Sequence, residues 1–376
     1  MAGIYIHIPF CKRKCHYCNF YSLANQKNKE QFHKALLKEI ALQKNYLHGE
    51  PIETIYFGGG TPSLLSISQI DEILNQIHQH YKVLSNAEID LEANPDDLDK
   101  TILVDYKKSG INRLSIGTQA FDDDILQKLN RIHSAQQAID AVHIAQSVGF
   151  ENISIDLIYG IPGLTNQLWQ QSIAQALSLN VPHLSAYHLT VEPNTALDVL
   201  IRKNKYPQPK EAEGIEHSLM LMQQMQANGY EHYEISNYAL PGKYSVHNTN
   251  YWRQKSYLGL GPSAHSFDLN SRQWNVASTT KYIEALQQGK ILFEKEEISN
   301  TDQYNEFVML GLRTQWGIDI KELQSKFGQE KTQYFQKQIQ KYLSQEKLVF
   351  ENGIYRLSNQ GKIFADGIAG DLFIAN

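Results

Sequence analysis

Cysteine is scarce in this sequence: only three occur in 376 residues, and all of them lie between positions 11 and 18. Cysteines this close together make poor structural disulfides, so a group of metal ligands is the better interpretation. Long apolar runs are also lacking, since no stretch approaches the roughly 20 residues that a membrane-spanning helix requires. The N-terminus leads into a strand-like segment and not into a signal peptide. We therefore expect a cytoplasmic protein, for which peripheral membrane contact stays open.

The sequence has no strong excess of charge of one sign. Its 35 basic and 40 acidic residues give a net charge of -5, and they form no long run. A broad surface for nucleic acid or acidic lipid is therefore not indicated. We expect small-molecule or protein partners and no nucleic-acid partner. With 42% hydrophobic residues, the chain can bury a large core and is long enough for a barrel-sized domain and a smaller one.

Short β-rich runs alternate with helical stretches through residues 1–200. The predicted strands are 3–8, 54–57, 88–92, 113–117, 153–158 and 183–189. The amphipathic segments between them include 31–46, 68–80, 134–147 and 168–179. Apolar residues recur in these segments at spacings of three and four, as in helices. Repeated βα units predict an α/β fold with a parallel sheet and right-handed crossovers, and six of them predict an incomplete β/α barrel.

Polar residues and glycines gather where three of the predicted strands end. Residues 58–62 read Gly-Gly-Gly-Thr-Pro, residues 92–95 read Glu-Ala-Asn-Pro, and residues 117–119 read Gly-Thr-Gln. The carboxyl ends of the strands form the functional face of a β/α barrel. We therefore expect a binding site at this end of the sheet.

The βα rhythm stops after about residue 200. Residues 201–300 contain mixed segments, including an aromatic stretch at 247–252. In residues 301–376 we predict a small winged-helix-like domain, made of helices 301–313, 320–327 and 331–345 and a hairpin 348–357 that turns at Glu351-Asn352-Gly353. Its nine basic residues are matched by nine acidic ones. Because this balance gives little attraction for phosphates, we favour a structural or docking role over DNA binding.

The three cysteines follow the first predicted strand in the order Cys11-x-x-x-Cys15-x-x-Cys18. A loop with three thiolates at these spacings can hold three corners of an iron–sulfur cubane and leave the fourth iron without a protein ligand. Basic residues stand between the ligands and would favour the thiolate form: Lys12, Arg13 and Lys14. Zinc is the alternative metal, although structural zinc normally takes four ligands and only His16 offers itself in this loop.

The cysteine loop after a first strand, together with the glycine triplet after the second, resembles the radical SAM superfamily. Within it, the sequence is most similar to the group that unites the oxygen-independent coproporphyrinogen III oxidases with the heme chaperones. The resemblance covers most of the chain and includes residues 5–11, 113–119, 129–131 and 156–162. It implies a 4Fe-4S cluster whose open iron binds S-adenosylmethionine (SAM).

The resemblance also implies which residues form the SAM site. Gly59, Gly60 and Thr61 would bind the methionyl group, since glycines let a ligand approach free backbone groups. Tyr5 and Tyr17 would flank the cofactor with aromatic faces. Further polar and charged positions of the site are Glu92, Gln119, Arg131 and Asp156. Singly, such residues are often turn glycines or helix caps; their order on successive strands favours a site.

Two differences separate this sequence from the oxidases. The resemblance gives an oxidase a further cysteine two positions after the third ligand, where this sequence has Phe20. An oxidase also carries additional residues before its cysteine loop, whereas Cys11 comes early here. We therefore do not expect coproporphyrinogen III oxidase activity. A radical SAM enzyme acting on a tetrapyrrole such as coproporphyrinogen III is the alternative function.

The heme-chaperone branch is marked by a His-Asn-x-x-Tyr-Trp element, and this sequence has His247-Asn248 followed by Tyr251-Trp252. Neutral imidazole is a good axial ligand of heme iron, and aromatic rings can pack on a porphyrin. The alternative is a structural histidine with core aromatics; His265 is a lesser candidate ligand. The resemblance thus implies a homodimeric heme chaperone that transfers heme to acceptor proteins, respiratory proteins among them.

Overall fold

A parallel sheet forms the centre of the protein, whose computed structural model describes residues 1–375. Its strands are β1 (Ala2–Ile8), β2 (Ile52–Gly59), β3 (Val83–Ala93), β4 (Arg113–Gln119), β5 (Asn152–Tyr159) and β6 (His183–His188). Each strand pairs in parallel with the next one along the chain. The strands are mostly buried along their length, as expected of a parallel sheet covered on both faces. The predicted α/β fold with a parallel sheet is confirmed.

Helices connect these strands in the βα order that the periodicity predicted. They are α1 (Lys29–Leu42), α2 (Ile67–His80), α3 (Lys100–Lys108), α4 (Asp123–Lys128), α5 (Ala135–Ser147) and α6 (Asn166–Ser178), with 3-10 turns at Pro62–Leu64 and Pro95–Asp97. Helix α2 begins at a capping box, in which Ser66 and Gln69 each accept a hydrogen bond from the other's backbone N–H. Helices α3 and α4 were not among the helical segments that the sequence predicted.

The region after β6 extends the same sheet at both edges. Its elements are α7 (Ala196–Arg202), α8 (Glu211–Ala227), β7 (Glu231–Glu234), β8 (Asn237–Ala239), α9 (Val246–Trp252), β9 (Tyr257–Leu260), β10 (His265–Phe267), β11 (Ser271–Asn275), α10 (Thr279–Gln287) and β12 (Phe293–Glu297). Strand β8 pairs with β6, and β9 pairs in parallel with β1, so the barrel strands do not close on one another. The sheet order is β12-β11-β10-β9-β1-β2-β3-β4-β5-β6-β8-β7.

The C-terminal elements surround a second hydrophobic core, which begins at Tyr304. They are α11 (Asn300–Leu312), β13 (Ile318–Asp319), α12 (Ile320–Ser344), β14 (Leu348–Glu351), β15 (Ile354–Leu357), α13 (Asn359–Lys362) and α14 (Ala365–Asp371). Gly328, with a φ of 81°, breaks α12 into the two predicted helices. The predicted hairpin is present and turns at Asn352 and Gly353, both with positive φ. Asn376 lies outside the described residues, and the predicted boundaries near 200 and 300 stay predictions.

Among residues 1–375, no helix combines the length and the apolar character needed to cross a membrane.

Candidate metal and cofactor site

The three cysteines line one cavity of about 390 Å³, called the cluster cavity below, at the carboxyl end of the parallel sheet. Backbone hydrogen bonds fix the loop that carries them. Cys11 N donates to the carbonyl oxygen of Leu23 at 3.0 Å, and Leu23 N donates to that of Pro9 at 2.8 Å. On the far side, His16 N donates to the carbonyl oxygen of Leu129 at 3.2 Å. The loop is therefore held between its own return segment and the end of α4.

Eleven of the thirteen sequence-predicted site residues line the cluster cavity. They are Cys11, Cys15, Tyr17, Cys18, Gly59, Gly60, Thr61, Glu92, Gln119, Arg131 and Asp156. The two exceptions are Tyr5 and His247. Tyr5 lines a different cavity, on the other side of the cysteine loop. Residues that the sequence reasoning missed also reach the cluster cavity, among them Asn94, Tyr187 and His188. Tyr187 and His188 close strand β6, and a strand-end position was the signal that would have found them.

The basic residues of the loop act unequally on the thiols: Lys14 lowers the pKa of Cys11 and Cys18 as the sequence predicted, whereas Lys12 is paired with a carboxylate. Lys12 is tied to Asp96, with 2.8 Å between Nζ and Oδ2. Burial raises the pKa of Cys11 and of Cys18, and Lys14 offsets this only in part. A thiol that resists ionisation by itself is stabilised as thiolate when it ligates a metal centre, so cluster binding and loss of the thiol protons would be coupled.

Arg131 is a partly buried cation fixed beside Cys15. Its Nη1 donates to Cys15 Sγ at 3.3 Å, and its Nη2 donates to Asn94 Oδ1 and to the carbonyl oxygen of Gly117, each at 2.8 Å. The guanidinium therefore joins the cysteine loop to the ends of β3 and β4. A fixed positive charge at this point also offsets the negative charge that thiolate ligands bring.

The glycine triplet has a structural task besides any ligand contact. A β-carbon on Gly60 would lie 2.6 Å from the carbonyl oxygen of Phe10 and 2.7 Å from that of Ile8. Gly59 has a φ of 106°, a conformation that other residues rarely adopt. The glycines thus allow the end of β2 to pack directly against the start of the cysteine loop. The sequence predicted that the glycines let a ligand come close; in the structure they also let these two backbone segments come close to each other.

Two carboxyl groups at the cluster cavity have raised pKa values. Burial raises the pKa of Glu92 to about 8 and that of Asp156 to about 6. Glu92 accepts hydrogen bonds from Tyr56 Oη at 2.7 Å and from Gly59 N at 3.2 Å. Because these carboxyl groups are costly to ionise in the absence of a counter-charge, a ligand with an ammonium group would be bound with its charge compensated.

The donor set suits a cluster better than a single zinc ion. Within residues 1–375, no group of three or more His, Cys, Asp or Glu converges closely enough to hold one ion. His16, the residue that would have completed a zinc site, has Nδ1 3.1 Å from the carbonyl oxygen of Lys128. All three cysteines nevertheless line one cavity, as ligands of a single cubane must.

His247 lies in α9, away from the cluster cavity, and only 2% of it is exposed. Its Nδ1 is 2.8 Å from Thr54 Oγ1, and its Nε2 is 2.8 Å from Tyr251 Oη. Burial lowers its pKa to about 3. Both ring nitrogens are therefore engaged, and this conformation offers none to an iron atom. The arrangement favours the structural alternative; iron ligation by His247 stays a prediction that requires these bonds to break.

Comparison with known proteins places this geometry in a family. Residues 5–176 match the model of the Radical SAM superfamily, and residues 298–364 match that of the HemN C-terminal domain. The solved structure of Escherichia coli coproporphyrinogen III oxidase, HemN, shares the fold with a TM-score of 0.84 at 21% identity, over 99% of this chain and 90% of that one. Fold and cysteine loop together are those of the radical SAM superfamily.

Curated relatives narrow the assignment. The heme chaperone HemW of Bacillus subtilis is 36% identical over 375 residues, which cover 98% of each chain. HemW of Lactococcus lactis is 32% identical over 95% of this chain and 93% of its own, and HemW of Escherichia coli is 36% identical over 82% and 81%. The chain belongs to the HemW family. The family and the fold that the sequence predicted are thereby confirmed.

Proposed function

We propose that this protein is a heme chaperone that binds heme and transfers it to acceptor proteins, respiratory proteins among them. The proposal extends to a cytoplasmic homodimer that carries a 4Fe-4S cluster on Cys11, Cys15 and Cys18 and binds SAM. Its support is the near full-length similarity to proteins named as heme chaperones.

Apart from family membership, the main support for the proposal is the presence of Phe20 at the cluster cavity. It is 63% exposed and lines the cluster cavity, two positions after Cys18. By resemblance, an oxidase has a thiol at this position. A phenyl ring can neither donate a proton nor act as a nucleophile, so the group expected to support coproporphyrinogen oxidation is missing while the rest of the cavity is retained.

The residues around the cluster cavity have separate tasks in this proposal. When bound, the cluster supplies an open iron and a low-potential electron. Gly59, Gly60 and Thr61 offer backbone and hydroxyl groups to the methionyl part of SAM, and Glu92 holds a carboxyl group for its ammonium. Arg131 keeps a positive charge beside Cys15. Tyr17, Gln119 and Asp156 complete the wall of the cavity.

A second function is favoured by the same cavity. The carboxyl groups of Glu92 and Asp156 and the glycine triplet are all present, so a radical SAM reaction on a tetrapyrrole, coproporphyrinogen III included, is the alternative to heme transfer. The two functions differ in what the protein consumes. A chaperone returns its heme unchanged, whereas an enzyme releases 5′-deoxyadenosine and alters its substrate.

The test is a side-by-side measurement on anaerobically reconstituted protein. With SAM and dithionite present, 5′-deoxyadenosine formation and coproporphyrinogen III consumption are followed; in parallel, heme is titrated and offered to an apo-acceptor such as an apo-cytochrome. Heme uptake and transfer without coproporphyrinogen turnover support the proposal. Rapid coproporphyrinogen conversion, or a wild-type protein that takes up no heme, would overturn it. Phe20→Cys is the matched variant that restores the thiol, and size-exclusion chromatography tests the dimer.

A further inference from the structure

A second cavity lies on the other side of the cysteine loop and is larger than the first, at about 670 Å³. It is called the aromatic cavity because six Phe and Tyr rings line it: Tyr5, Phe20, Tyr21, Tyr251, Tyr257 and Phe267. Its outer wall comes from α11 through Met309 and Leu310. Cavities of this size with mostly apolar and aromatic walls bind organic ligands in proteins. The aromatic cavity therefore has the size and the lining that a flat, largely apolar macrocycle needs.

The aromatic cavity adjoins the cluster cavity. Asn19 and Phe20 line both, so the end of the cysteine loop is the wall between them. A ligand in the aromatic cavity would contact Phe20, which also lines the cluster cavity. The position that carries a phenyl ring in place of a thiol is thus also the position that would pack on such a ligand.

The histidines around the aromatic cavity differ in whether a ring nitrogen is free. His7 has Nδ1 3.1 Å from Tyr5 Oη and Nε2 2.8 Å from the carbonyl oxygen of Tyr21. His247, behind Tyr251, has both nitrogens engaged as described above. His265 is exposed to the cavity at the start of β10, and its ring has no hydrogen-bond partner among residues 1–375. It is held by stacking on Trp274, with ring centroids 5.8 Å apart.

We propose that the aromatic cavity is the heme site of this protein and that His265 is the axial ligand of the heme iron. The inference rests on the proposed function, and it specifies where the heme binds and which residue ligates its iron. An imidazole with unoccupied nitrogens, fixed by stacking at the rim of an aromatic cavity, is the arrangement that axial ligation of heme requires. Met309 lies in the same lining and supplies a thioether that heme iron also accepts.

His247 has a different task in this arrangement. Its Nε2 is 2.8 Å from the hydroxyl of Tyr251, whose ring lines the aromatic cavity. The buried imidazole therefore fixes the orientation of one cavity wall. His247 is a positioning residue, and the His-Asn-x-x-Tyr-Trp element acts on heme through its tyrosine. Loss of the iron ligand and loss of a cavity wall should both weaken heme binding. Only loss of the ligand should also remove the spectral signature of an axial imidazole.

Arg272 is the cation of the aromatic cavity, and no lysine or second arginine lines it among residues 1–375. Its Nη2 is 2.9 Å from Glu306 Oε1, which also belongs to the lining. A heme propionate near this position would compete with Glu306 for the guanidinium. Glu306→Gln removes the competing charge, so the variant should bind heme more tightly than wild type, and Arg272→Gln should bind it more weakly.

The experiment is a heme titration of cluster-loaded protein, in which the thiols are occupied and cannot bind heme themselves. Wild type is compared with His265→Ala, His247→Ala and the control His143→Ala, an exposed histidine on α5 that lines neither cavity. We expect His265→Ala to bind heme at least tenfold more weakly and to lose the absorption and EPR signature of an axial imidazole. Added free imidazole should restore that signature in His265→Ala alone. His247→Ala should lose affinity but keep the signature, and His143→Ala should match wild type.

A second variant tests the location independently of the ligand. Leu310→Trp fills the aromatic cavity from α11 and should abolish heme binding while the cluster absorption and the circular dichroism stay as in wild type. If wild type binds heme and both His265→Ala and Leu310→Trp bind it with unchanged affinity and spectrum, the inference is wrong and the proposed function stands. If wild type itself binds no heme, the proposed function fails.

Discussion

Replacing Glu92 with glutamine should change the stability of the cofactor-free protein in opposite directions at low and high pH. Burial raises the pKa of Glu92 from 4.5 to about 8 in the folded protein. A carboxyl group with a raised pKa contributes its stability below pH 4.5 and loses it as the pH rises through 8. At about 1.4 kcal/mol per pH unit, the folded protein therefore loses up to about 5 kcal/mol from this group by pH 9.

Glutamine carries no charge at any pH, but it can serve only one of the two donors. Its carbonyl oxygen can accept from Tyr56 Oη, and its amide group cannot accept from Gly59 N, which now donates to Glu92 Oε2 at 3.2 Å. The lost hydrogen bond costs about 1–3 kcal/mol. At pH 9, Glu92→Gln should therefore stabilise the protein by about 2–4 kcal/mol, and at pH 5 it should destabilise it by about 1 kcal/mol or more.

The assay is urea unfolding of wild type and Glu92→Gln at pH 5, 7 and 9, without cluster or SAM. Glu294→Gln, a charge-neutralising change on the exposed strand β12, is the matched control and should show little difference at any pH. A stability difference between wild type and Glu92→Gln that is the same at pH 5 and pH 9 would refute the reasoning. In the cluster-loaded protein the same variant should bind SAM more weakly, because it cannot ionise against the ammonium group.

Three further substitutions test other parts of the structure. Gly60→Ala should lower the amount of cluster that the protein retains, since the new β-carbon would lie 2.6 Å from the carbonyl oxygen of Phe10; iron and sulfide content measure this. Arg131→Gln removes the charge beside Cys15 and should shift the reduction midpoint of the cluster to more negative potential in an anaerobic titration, whereas an unchanged midpoint would contradict the assigned contact. Gly328→Ala has open space for its β-carbon, but its φ of 81° and ψ of 177° are almost restricted to glycine, so it should cost about 1–3 kcal/mol in thermal unfolding and leave cluster content and heme affinity unchanged.

The central sheet could be predicted because each βα unit is local in sequence. Strand β5, predicted at 153–158, runs from Asn152 to Tyr159, and α5, predicted at 134–147, runs from Ala135 to Ser147. The strands that extend the sheet could not be placed in the same way. Strand β9 has four residues and pairs with β1, more than 240 residues earlier in the chain. The periodicity of apolar residues within a segment carries no information about a partner so distant in sequence.

The same distinction between local and long-range order applies to the candidate site. Cys11, Cys15 and Cys18 share one loop, and Glu92 and Asp156 lie on strands β3 and β5 of the same parallel sheet, so the local βα order was enough to bring them to one cavity. His247 does not follow this rule because its surroundings come from β1, β2 and β3 as well as from its own helix. Its burial and its contact with Thr54 follow from how α9 packs on the sheet, which the six-residue element itself does not encode.

The sheet described here ends on one side in β12, whose five residues, Phe-Glu-Lys-Glu-Glu, are all exposed. A long sheet with a bare outer strand can recruit a second chain and grow into insoluble aggregates. Three glutamates in a row of five make such recruitment repulsive, because an identical strand would bring like charges face to face. Solubility at high expression should accordingly depend on these acidic side chains.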